Sequence, residues 1–297
     1  MKYSAKDIED MIYKYLPEEQ GYQKDVIQAM NYAFKAGGKR IRPMMMRLTY
    51  DMLTESSIRD DEAVCPFMAA IEMIHTYSLI HDDLPALDND DFRRGRPTVH
   101  RQFGEDIAIL AGDGLLNYGF ETAARAFLSS CDISRVSKAF TVLTQKPGIY
   151  GMIGGQTLDV IKSGQKIDDS ELHFIYTNKT AALIECSVMI GGILAGADDS
   201  TVAVLEQIAN CVGMAFQVQD DILDIVGDEK LLGKPVQSDE RNNKYTYATL
   251  YGIDAARRYV EETSKKAMDL LSGISFNDKE AGESFRTLIV SLIDREK

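Results

Sequence analysis

The apolar residues of this chain recur at intervals of three and four positions almost from one end to the other. This spacing covers residues 67–80, and it returns late in the chain over residues 253–271 and 280–293. It puts apolar side chains on one face of an α-helix, whereas the alternation typical of half-buried strands is nearly absent. The longest example has apolar residues at Val204, Ile208, Val212, Ala215, Val218, Ile222 and Val226. The sequence therefore predicts an all-α protein.

Glycine and proline residues divide this helical pattern into about ten segments with mostly short connections. We expect breaks at residues 37–38, 43, 85, 95–97, 147–148, 164 and 227–235. No proline- or serine-rich linker separates two halves, and the sequence contains no short repeat. The prediction is one domain over residues 1–297, folded as a single large helical bundle. In such bundles, metal and cofactor sites are built from side chains on facing helices.

The charge and the cysteines restrict the partners and the compartment that we expect. The chain has 33 basic and 46 acidic residues, and its net charge of −13 argues against nucleic acid. The N-terminal segment mixes charged and apolar residues, unlike a signal peptide. No apolar run approaches the roughly 20 residues of a spanning helix, so we expect no stable membrane insertion. Four scattered cysteines predict free thiols in a reducing cytoplasm; they are Cys65, Cys131, Cys186 and Cys211.

An acidic stripe runs along the predicted helix near residue 220. Gln217, Asp220, Asp221 and Asp224 stand at i, i+3, i+4 and i+7, so they share one face of an otherwise apolar helix. Carboxylates at this spacing repel each other, and burying them would be unfavourable without compensation. A divalent cation supplies that compensation, and all-oxygen ligands favour Mg²⁺ or Mn²⁺ over zinc. The alternative is a solvated acidic helix face.

A second acidic cluster follows the apolar segment at residues 67–80. Its members are Asp82, Asp83 and Asp88, with the arginines Arg93 and Arg94 soon after them. Pro85 stops the regular spiral, so Asp88 can fold back towards Asp82. Carboxylates for a metal beside guanidinium groups for phosphate are what phosphate chemistry requires. Taken alone this run also fits a charged surface loop, but its pairing with the acidic stripe favours a metal-dependent diphosphate site.

A third element, GGKRIRP at residues 37–43, puts Lys39 and Arg42 at the start of a predicted helix. Free backbone N–H groups at a helix N-terminus also favour anions. As a lone motif this element is weak. His75 shares a helix face with Asp82, and its position alone fits a core histidine better than an anion contact.

These elements stand in the order found in a known family. The chain resembles the short-chain trans-isoprenyl diphosphate synthases, most of all the bacterial farnesyl diphosphate synthases. The resemblance extends from about Gly37 to Leu250, and it is carried by GGKRIRP, EMIHTYSLIHDDLPALDNDDFRRGRPTVH, GGQTLDV, the Lys179-Thr180 pair, and FQVQDDILD with GDEKLLGKP. It implies an all-α bundle of the isoprenoid synthase type around a deep central cavity, usually as a homodimer. The two aspartate clusters would face each other across that cavity.

The resemblance also implies roles for individual residues. Mg²⁺ would be bound with the allylic diphosphate by Asp82, Asp83 and Asp88, and a further Mg²⁺ by Asp220, Asp221 and Asp224. The allylic diphosphate itself would be contacted by Arg93, Lys179, Lys234 and Lys244. The metal-free diphosphate of isopentenyl diphosphate would be held by Lys39, Arg42, His75 and Arg94. The remaining positions lie near the reacting carbons: Thr180 and Gln217 beside the nascent carbocation, and Gln156 and Asp159 near the reacting groups.

The implied reaction is head-to-tail prenyl transfer. Dimethylallyl or geranyl diphosphate would condense with isopentenyl diphosphate to give farnesyl diphosphate, a C15 product, in isoprenoid biosynthesis. Tyr77, with Ser78 beside it, would form the floor of the cavity and limit the product length. The family alternatives are a geranyl and a geranylgeranyl diphosphate synthase. One departure from the family pattern is Ala248, where proline is more usual, and it concerns the loop of Lys244.

Three other classes compete with this interpretation. A class I terpene cyclase binds no second diphosphate and usually lacks the GGKRIRP element and the arginine pair, which are both present here. An HD-type metal phosphohydrolase needs several histidines, and this chain has only four, poorly placed. A non-catalytic subunit of a heteromeric synthase typically loses an aspartate cluster, whereas both clusters are intact.

Overall fold

Helices account for nearly all of the regular structure. The structure is a computed structural model, and it describes residues 1–226 and 245–293. Its α-helices are α1 (Ala5–Ile12), α2 (Lys24–Phe34), α3 (Ile41–Leu53), α4 (Asp61–Asp82), α5 (Val99–Phe103), α6 (Glu105–Ala124), α7 (Ile133–Gln145), α8 (Met152–Ile161), α9 (Asp169–Ile175), α10 (Ala182–Ala195), α11 (Asp199–Val226), α12 (Tyr247–Tyr251), α13 (Ile253–Ser272) and α14 (Lys279–Ile293). The predicted all-α class is confirmed.

Shorter elements connect these helices. Turns of 3₁₀ helix lie at Tyr13–Tyr15, Ser56–Ile58 and Arg125–Leu128. A π-helical turn, Tyr176–Ala181, joins α9 to α10. Two antiparallel strands of two residues each, β1 (Phe92–Arg93) and β2 (Arg96–Pro97), form a small hairpin between α4 and α5. Sequence periodicity cannot detect elements this short.

Capping residues and glycines set where the helices begin and end. Asp60 accepts hydrogen bonds from the backbone N–H groups of Glu62 and Ala63, and so caps α4, the helix that carries the first aspartate cluster. Gly104 and Gly252 have φ angles of 95° and 84°, and each ends one helix and begins the next. The short helices α5 and α12 arise at these two points. The described residues therefore contain fourteen α-helices, against about ten expected.

The predicted break at Pro43 is wrong. Pro43 is the third residue of α3, in the first turn, where backbone N–H groups have no partner inside the helix and proline is tolerated. The chain reverses earlier, at Gly37, Gly38 and Arg40, which all have positive φ angles. As a result Arg42 lies in the first turn of α3, as the third sequence element predicts.

Helix α10 lies at the centre of the bundle. Thirteen of its fourteen residues are buried, and it packs against α3, α7 and α11. The contact with α3 is close, because a Cβ at Gly191 would lie only 2.5 Å from the carbonyl oxygen of Met46. Helix α4 packs most extensively against α6, and α11 against α13. Both aspartate clusters are thus carried by helices that are anchored in the core.

Three segments are long and apolar enough to cross a membrane, judged by length and composition only. They are Asp61–Asp82, Asp169–Ala195 and Asp199–Val226. The expectation that no run meets these criteria is therefore wrong. Within the bundle 78%, 78% and 50% of their apolar windows are buried, respectively. A core helix that is covered on most sides needs the same apolar composition as a spanning helix. The absence of stable membrane insertion stays a prediction.

All four cysteines are free thiols, as predicted. Cys186 and Cys211 are buried, and Cys65 and Cys131 are half-buried. Burial raises the pKa of the Cys186 thiol well above its usual range. A cysteine held in the neutral thiol form is a poor nucleophile and a poor metal ligand. The chemistry of the site must therefore come from other side chains.

Candidate active site

The first aspartate cluster folds back on itself. Helix α4 ends at Asp82, and the following turn brings the backbone N–H of Asp88 to 2.9 Å from the carbonyl oxygen of Asp82. The carbonyl of Leu84 closes the inside of the turn by accepting from the N–H groups of Leu87 and Asn89, at 2.9 and 3.1 Å. The predicted return of Asp88 towards Asp82 is confirmed. The side chains of Asp82 and Asp88 therefore leave the backbone at neighbouring positions.

Arg93 and Asp83 form an ion pair next to this turn. Arg93 Nε lies 2.7 and 2.9 Å from the two carboxylate oxygens of Asp83, and Nη2 lies 2.5 Å from Oδ1. Asp83 is 3% exposed, and burial raises its pKa although Arg93 acts in the opposite direction. Arg94 and Gly95 form the tip of the hairpin, with φ angles of 53° and 73°. The Arg93–Asp83 ion pair holds the hairpin against the end of α4. The predicted contacts of Arg93 with diphosphate and of Asp83 with Mg²⁺ stay predictions.

Helix α8 adds two polar contacts to the site. Gln156 donates from Nε2 to Asp82 Oδ1 at 2.7 Å. One turn later, Asp159 Oδ2 lies 2.6 Å from the ammonium nitrogen of Lys179. The structure therefore brings four predicted side chains together as two pairs, one on the first aspartate cluster and one on the π-helical turn.

Two glycines allow neighbouring helices to approach the π-helical turn that contains Lys179. A Cβ at Gly155 of α8 would lie 2.3 Å from the backbone nitrogen of Lys179. A Cβ at Gly213 of α11 would lie 2.4 Å from the Cβ of Ala181. Both distances are too short for non-bonded atoms, so a side chain at either position would force the helices apart. The turn is thus held between α8 and α11, and such π-helical turns are frequent at functional sites.

Gln217 and Asp221, one turn apart in α11, contact the same π-helical turn. Thr180 donates its hydroxyl to Gln217 Oε1 at 2.7 Å, and Gln217 donates from Nε2 to Asp221 Oδ1 at 3.1 Å. Tyr176 donates its hydroxyl to Asp221 Oδ2 at 2.5 Å. Thr180 and Gln217 are therefore neighbours, and the role that the family resemblance implies for them beside the carbocation stays a prediction. Tyr176 was missed, although its position four residues before Thr180 could have placed it on the same face.

The carboxylates of both clusters are oxygen donors of the kind that Mg²⁺ prefers. Asp220 is half-buried, and Asp221 and Asp224 are buried among apolar neighbours. Within residues 1–226 and 245–293, no three His, Cys, Asp or Glu side chains are close enough together to hold a metal ion. Mg²⁺ usually binds one or two protein carboxylates together with substrate phosphates and water. The donor set therefore fits a metal that arrives with a diphosphate.

A second group of cations gathers around His75. Arg42 in α3 and Arg94 in the hairpin both act on His75 in α4, and burial together with these guanidinium groups holds the pKa of His75 well below 6.5. Burial, assisted by Arg94, lowers the pKa of Arg42 to about 10. In the described part of the chain, the buried Nε of Arg42 has no hydrogen-bond partner. Crowded cations with an unpartnered N–H donor are the features of an anion site.

Arg40 and Gly38 explain how this cationic site is held. Arg40 is buried, and its guanidinium lies 2.8 Å from Glu72 Oε1 and 3.1 Å from Glu9 Oε1. It therefore ties the loop before α3 to α4 and α1. Gly38 has a φ of 132°, and a Cβ there would lie 2.9 Å from Cζ of Arg94, so glycine leaves room for that guanidinium. The sequence motif did not show that Arg40 is its structural cation.

Tyr77 lies one turn before His81 in α4 and is buried. Its ring centroid is 5.7 Å from that of His81, in an edge-on arrangement. Burial, with Asp82 nearby, raises the pKa of Tyr77 to about 12, so the phenol stays neutral. His81 packs against α6, with Nε2 3.2 Å from the carbonyl oxygen of Ile109. Ser78 is half-buried and hydrogen-bonded to its own helix. The chain-length role of Tyr77 and Ser78 stays a prediction.

A cavity of about 120 Å³ opens beside the π-helical turn. Its walls come from α8 and the residues after it, α9, the π-helical turn, α11 and the residues just before α12. The predicted site residues among them are Asp159, Lys179, Thr180, Gln217 and Asp221. The five predicted side chains, which come from residues 159–221, thus surround one space.

Three predicted lysines remain. Lys39 is exposed in the loop before α3. Lys234 and Lys244 lie outside the described residues. The roles of all three in binding diphosphates stay predictions.

The sequence model of a protein family matches residues 23–284, and that family is described as polyprenyl synthetase. The chain belongs to the polyprenyl synthetase family. This match covers every predicted site residue, including those outside the described part of the structure.

Named relatives of this polyprenyl synthetase come from bacteria and plants. The farnesyl diphosphate synthase of Geobacillus stearothermophilus is 43% identical over 256 residues, which is 84% of this chain and 82% of the relative. The farnesyl diphosphate synthase of Micrococcus luteus is 37% identical over 290 residues, 97% of this chain and 94% of the relative. The large subunit 1 of a chloroplastic heterodimeric geranylgeranyl pyrophosphate synthase from Arabidopsis thaliana is 41% identical over 260 residues, 86% and 68% of the two chains.

Solved structures share the fold of this polyprenyl synthetase. A geranyltransferase from Helicobacter pylori, complexed with magnesium and isoprenyl diphosphate, has a TM-score of 0.87 at 28% identity and covers 98% of this chain and 95% of that one. An FPP/GFPP synthase from Zymomonas mobilis has a TM-score of 0.83 at 30% identity, with coverage of 97% and 95%. The predicted fold of the isoprenoid synthase type is confirmed.

These findings establish the class of enzyme. This polyprenyl synthetase is a short-chain trans-prenyltransferase that uses small-molecule diphosphates as substrates. The predicted resemblance to the short-chain synthases is confirmed. The expectation of a single domain over residues 1–297 stays a prediction.

Proposed function

We propose that this prenyltransferase condenses dimethylallyl or geranyl diphosphate with isopentenyl diphosphate to form farnesyl diphosphate, with Mg²⁺ or Mn²⁺ as the metal. One observation carries the proposal, which is that the site combines two regions of different chemistry, each suited to a diphosphate. One region combines carboxylates with Arg93 and Lys179. The other gathers Arg42, Arg94 and His75. An enzyme that joins two diphosphates, only one of which ionises, needs two such regions.

The region with carboxylates suits the allylic diphosphate. Mg²⁺ would be held there by the first cluster, in which Asp88 returns to Asp82, and by Asp220 and Asp224 of the second cluster. When bound, the metal offsets negative charge on the diphosphate and so makes it a better leaving group. This arrangement also reconciles a net charge of −13 with anionic substrates, because the aspartates bind cations and the cations bind the substrate.

The cationic region suits isopentenyl diphosphate, whose diphosphate stays attached throughout the reaction. Arg42 lies in the first turn of α3, and among the described residues no side chain caps that helix end. The backbone N–H groups of that turn are therefore available to an anion, together with Nε of Arg42. Bound diphosphate would also relieve the repulsion between Arg42 and Arg94 beside the neutral His75. No metal is required for this binding.

The reaction would begin when the allylic C–O bond breaks. Lys179 and Arg93 are already held near the leaving group by Asp159 and Asp83, so they stabilise the departing charge without a large rearrangement. The double bond of isopentenyl diphosphate then attacks the allylic cation. The hydroxyl of Thr180 beside this space is fixed by its hydrogen bond to Gln217.

The final step is loss of a proton from the condensed product. Carboxylates of the site that could accept it already have cationic or hydroxyl partners: Asp159 with Lys179, Asp83 with Arg93, and Asp221 with Tyr176. The released diphosphate is the better acceptor, because it leaves with negative charge beside the new cation. No covalent intermediate with the protein is needed.

The proposed product length rests on Tyr77. An aromatic ring that is buried in α4, five residues before Asp82, limits the depth available to a growing chain. Relatives named as farnesyl diphosphate synthases support C15, and relatives named as geranylgeranyl pyrophosphate synthases have similar identities. Overall sequence identity therefore does not decide the length of the product. The side chains below the first aspartate cluster decide it.

The proposal includes a homodimer in the cytoplasm, free of nucleic acid and of membranes. Four free thiols support a reducing compartment. Apolar side chains are exposed on α6 and in the segment after it, where a second copy could cover them; they are Ile109 (46%), Leu110 (51%), Leu128 (88%) and Ile133 (62%). Sedimentation equilibrium would test the dimer.

The function is tested by product identification. Purified protein is incubated with labelled isopentenyl diphosphate, Mg²⁺, and either dimethylallyl or geranyl diphosphate, and the prenyl chains are separated after dephosphorylation. We expect farnesol from both starters and no product after chelation of the metal. Asp220→Asn should abolish the product, whereas Asp254→Asn, an exposed aspartate at the start of α13, should not. Absence of any prenyl product from the wild type would disprove the function, and a C20 product alone would disprove the chain length.

A further inference from the structure

Four side chains form a hydrogen-bonded connection between the π-helical turn and α11. Tyr176 and Thr180 lie four residues apart in the turn, and Asp221 and Gln217 lie four residues apart in the helix. Tyr176 bonds to Asp221, Asp221 to Gln217, and Gln217 to Thr180, at 2.5, 3.1 and 2.7 Å. Each pair is one turn apart on its own helix, so the three hydrogen bonds fix both the distance and the register between the two elements.

Asp221 is the centre of this connection. The carboxylate is 1% exposed, and both of its oxygens accept hydrogen bonds from the protein. Oδ1 accepts from Gln217, and Oδ2 accepts from the Tyr176 hydroxyl and from the backbone N–H of Tyr247 at 3.2 Å. The same N–H lies 3.0 Å from the oxygen of Tyr176. Asp221 therefore also joins α11 to the first residue of α12.

Tyr176 lies between two groups that the proposed reaction uses, Lys179 in its own turn and the carboxylates of Asp220 and Asp224 in α11. Lys179, three residues later in the same turn, contacts Asp159. Asp220 and Asp224 stand one position before and three positions after Asp221 in α11. A shift of the turn against α11 would move the cation of Lys179 relative to those two carboxylates, which the proposed reaction needs on one diphosphate.

We propose that Tyr176 is a positioning residue, which uses Asp221 as its anchor to keep Lys179 in register with Asp220 and Asp224. In this arrangement Asp221 holds the π-helical turn and α11 together, and the other two aspartates of the stripe bind the metal. Tyr176 touches no reacting atom and acts through Asp221. The inference rests on the proposed prenyl transfer, because that reaction defines the diphosphate on which the groups converge.

The Tyr176→Phe variant tests this role, since it keeps the ring and removes only the hydroxyl. We expect kcat for geranyl and isopentenyl diphosphates to fall about tenfold or more, because without the hydrogen bond to Asp221 the turn that carries Lys179 is no longer held in register with α11. KM for isopentenyl diphosphate should stay within about twofold, because the cationic region is built from other elements. The Mg²⁺ concentration for half-maximal rate should rise. A variant with lowered thermal stability but wild-type kinetics and Mg²⁺ dependence would overturn the proposal.

A double-mutant cycle with Asp221→Asn identifies the partner. If Tyr176 acts through Asp221, the double variant should lose little more activity than the more impaired single variant. Multiplying losses would show independent roles and would overturn the proposal. Asp221→Asn keeps the size of the side chain, so the anchor can be tested from this side as well if the Phe variant is unstable.

The control is Tyr251→Phe in α12. The Tyr251 hydroxyl also donates to an aspartate, but that residue, Asp169, belongs to neither aspartate cluster and Tyr251 is exposed. This variant should retain wild-type kcat and Mg²⁺ dependence. An equal loss in this variant would show a general effect of removing a hydroxyl, and would contradict the role of Tyr176.

A binding measurement separates this inference from the proposed function. Isothermal titration of inorganic diphosphate in the presence of Mg²⁺ needs no turnover. We expect wild type and Tyr251→Phe to bind alike and Tyr176→Phe to bind about tenfold more weakly. If the wild type made no prenyl product, this comparison would still decide whether Tyr176 positions the metal-diphosphate site. Equal binding by all three proteins would overturn the inference while leaving prenyl transfer intact.

Discussion

The ammonium group of Lys179 lies 2.6 Å from Asp159 Oδ2, across the contact between the π-helical turn and α8. Gly155, one turn before Asp159, makes this contact close enough, because it carries no Cβ towards the backbone of Lys179. Helix α8 thus supplies both the close backbone contact to Lys179 and the carboxylate that orients its ammonium group. The predictions below start from this pair.

Replacing Lys179 should reduce the chemical step more than substrate binding. In Lys179→Met, we expect kcat to fall by about a hundredfold or more, because a fixed charge on the leaving group is lost. Asp159→Asn should have a smaller effect, since the lysine and its charge remain. Steady-state kinetics with geranyl and isopentenyl diphosphates measure both. Lys138→Met, which removes an exposed ion pair with Asp199, is the matched control. Similar losses in Lys138→Met and Lys179→Met would contradict the assignment.

Adding a methyl group at Gly155 should displace the π-helical turn that carries Lys179. In Gly155→Ala the new Cβ would lie 2.3 Å from the Lys179 backbone nitrogen, so α8 and the turn must separate. We expect a loss of about 1–3 kcal/mol in the free energy of unfolding, the usual effect of overpacking, together with a lower kcat. In Gly273→Ala the Cβ would meet its nearest neighbour at 3.4 Å, so this variant should behave as wild type. Urea unfolding and kinetics of the two variants give the comparison, and an unaffected Gly155→Ala would show that the contact is not tight.

His75 should make the stability of the protein depend on pH. Burial and neighbouring arginines hold its pKa in the folded protein well below 6.5, its value when unfolded. Between those two values the unfolded chain binds the extra proton, so stability is complete above pH 6.5 and is lost as the pH falls below it. The loss can reach about 1.4 kcal/mol per pH unit.

A substitution isolates this contribution from other titrating groups. His75→Asn cannot titrate, so its free energy of unfolding should fall less steeply than that of wild type below pH 6.5. Urea unfolding at several pH values measures both slopes, and groups such as Asp83 contribute equally to the two proteins. Identical slopes would mean that His75 is not held neutral among the arginines.

Removing the Tyr77 ring should lengthen the product. In Tyr77→Ala we expect chains of C20 and longer, because the space below the first aspartate cluster deepens. The same substitution should cost about 3 kcal/mol or more of stability, as for other large buried rings. Tyr77→Phe keeps the ring and should still give C15. The products of both variants are compared by chromatography after dephosphorylation. A Tyr77→Ala enzyme that makes only C15 would place the chain-length limit elsewhere.

The sequence predicted those features that depend on local geometry. The stripe of Gln217, Asp220, Asp221 and Asp224 lies on α11 as its spacing requires, and residues 202–226 are helical throughout. The turn that returns Asp88 to Asp82 follows from the proline between them. Arg42 falls in the first turn of a helix because the glycines before it reverse the chain. Each of these depends on neighbours within a few residues.

Features that depend on packing between distant segments were not predicted. The π-helical turn arises where Gly155 and Gly213 bring α8 and α11 against it, and these glycines are far apart in the sequence. The Tyr176–Asp221 and Arg40–Glu72 contacts likewise join segments that are far apart in the sequence. Pro43 was misplaced because proline breaks a helix interior but is accepted in a first turn.

Calorimetric titration of the two substrates with and without Mg²⁺ tests most directly whether this protein has one metal-bridged and one metal-free diphosphate site. Isopentenyl diphosphate and an unreactive thiolo analogue of geranyl diphosphate are each titrated in Mg²⁺ and in a chelator. We predict that isopentenyl diphosphate binds about equally in both, and that the analogue binds about a hundredfold or more weakly without the metal. Equal binding of the analogue in the chelator, or loss of isopentenyl diphosphate binding there, would contradict the account.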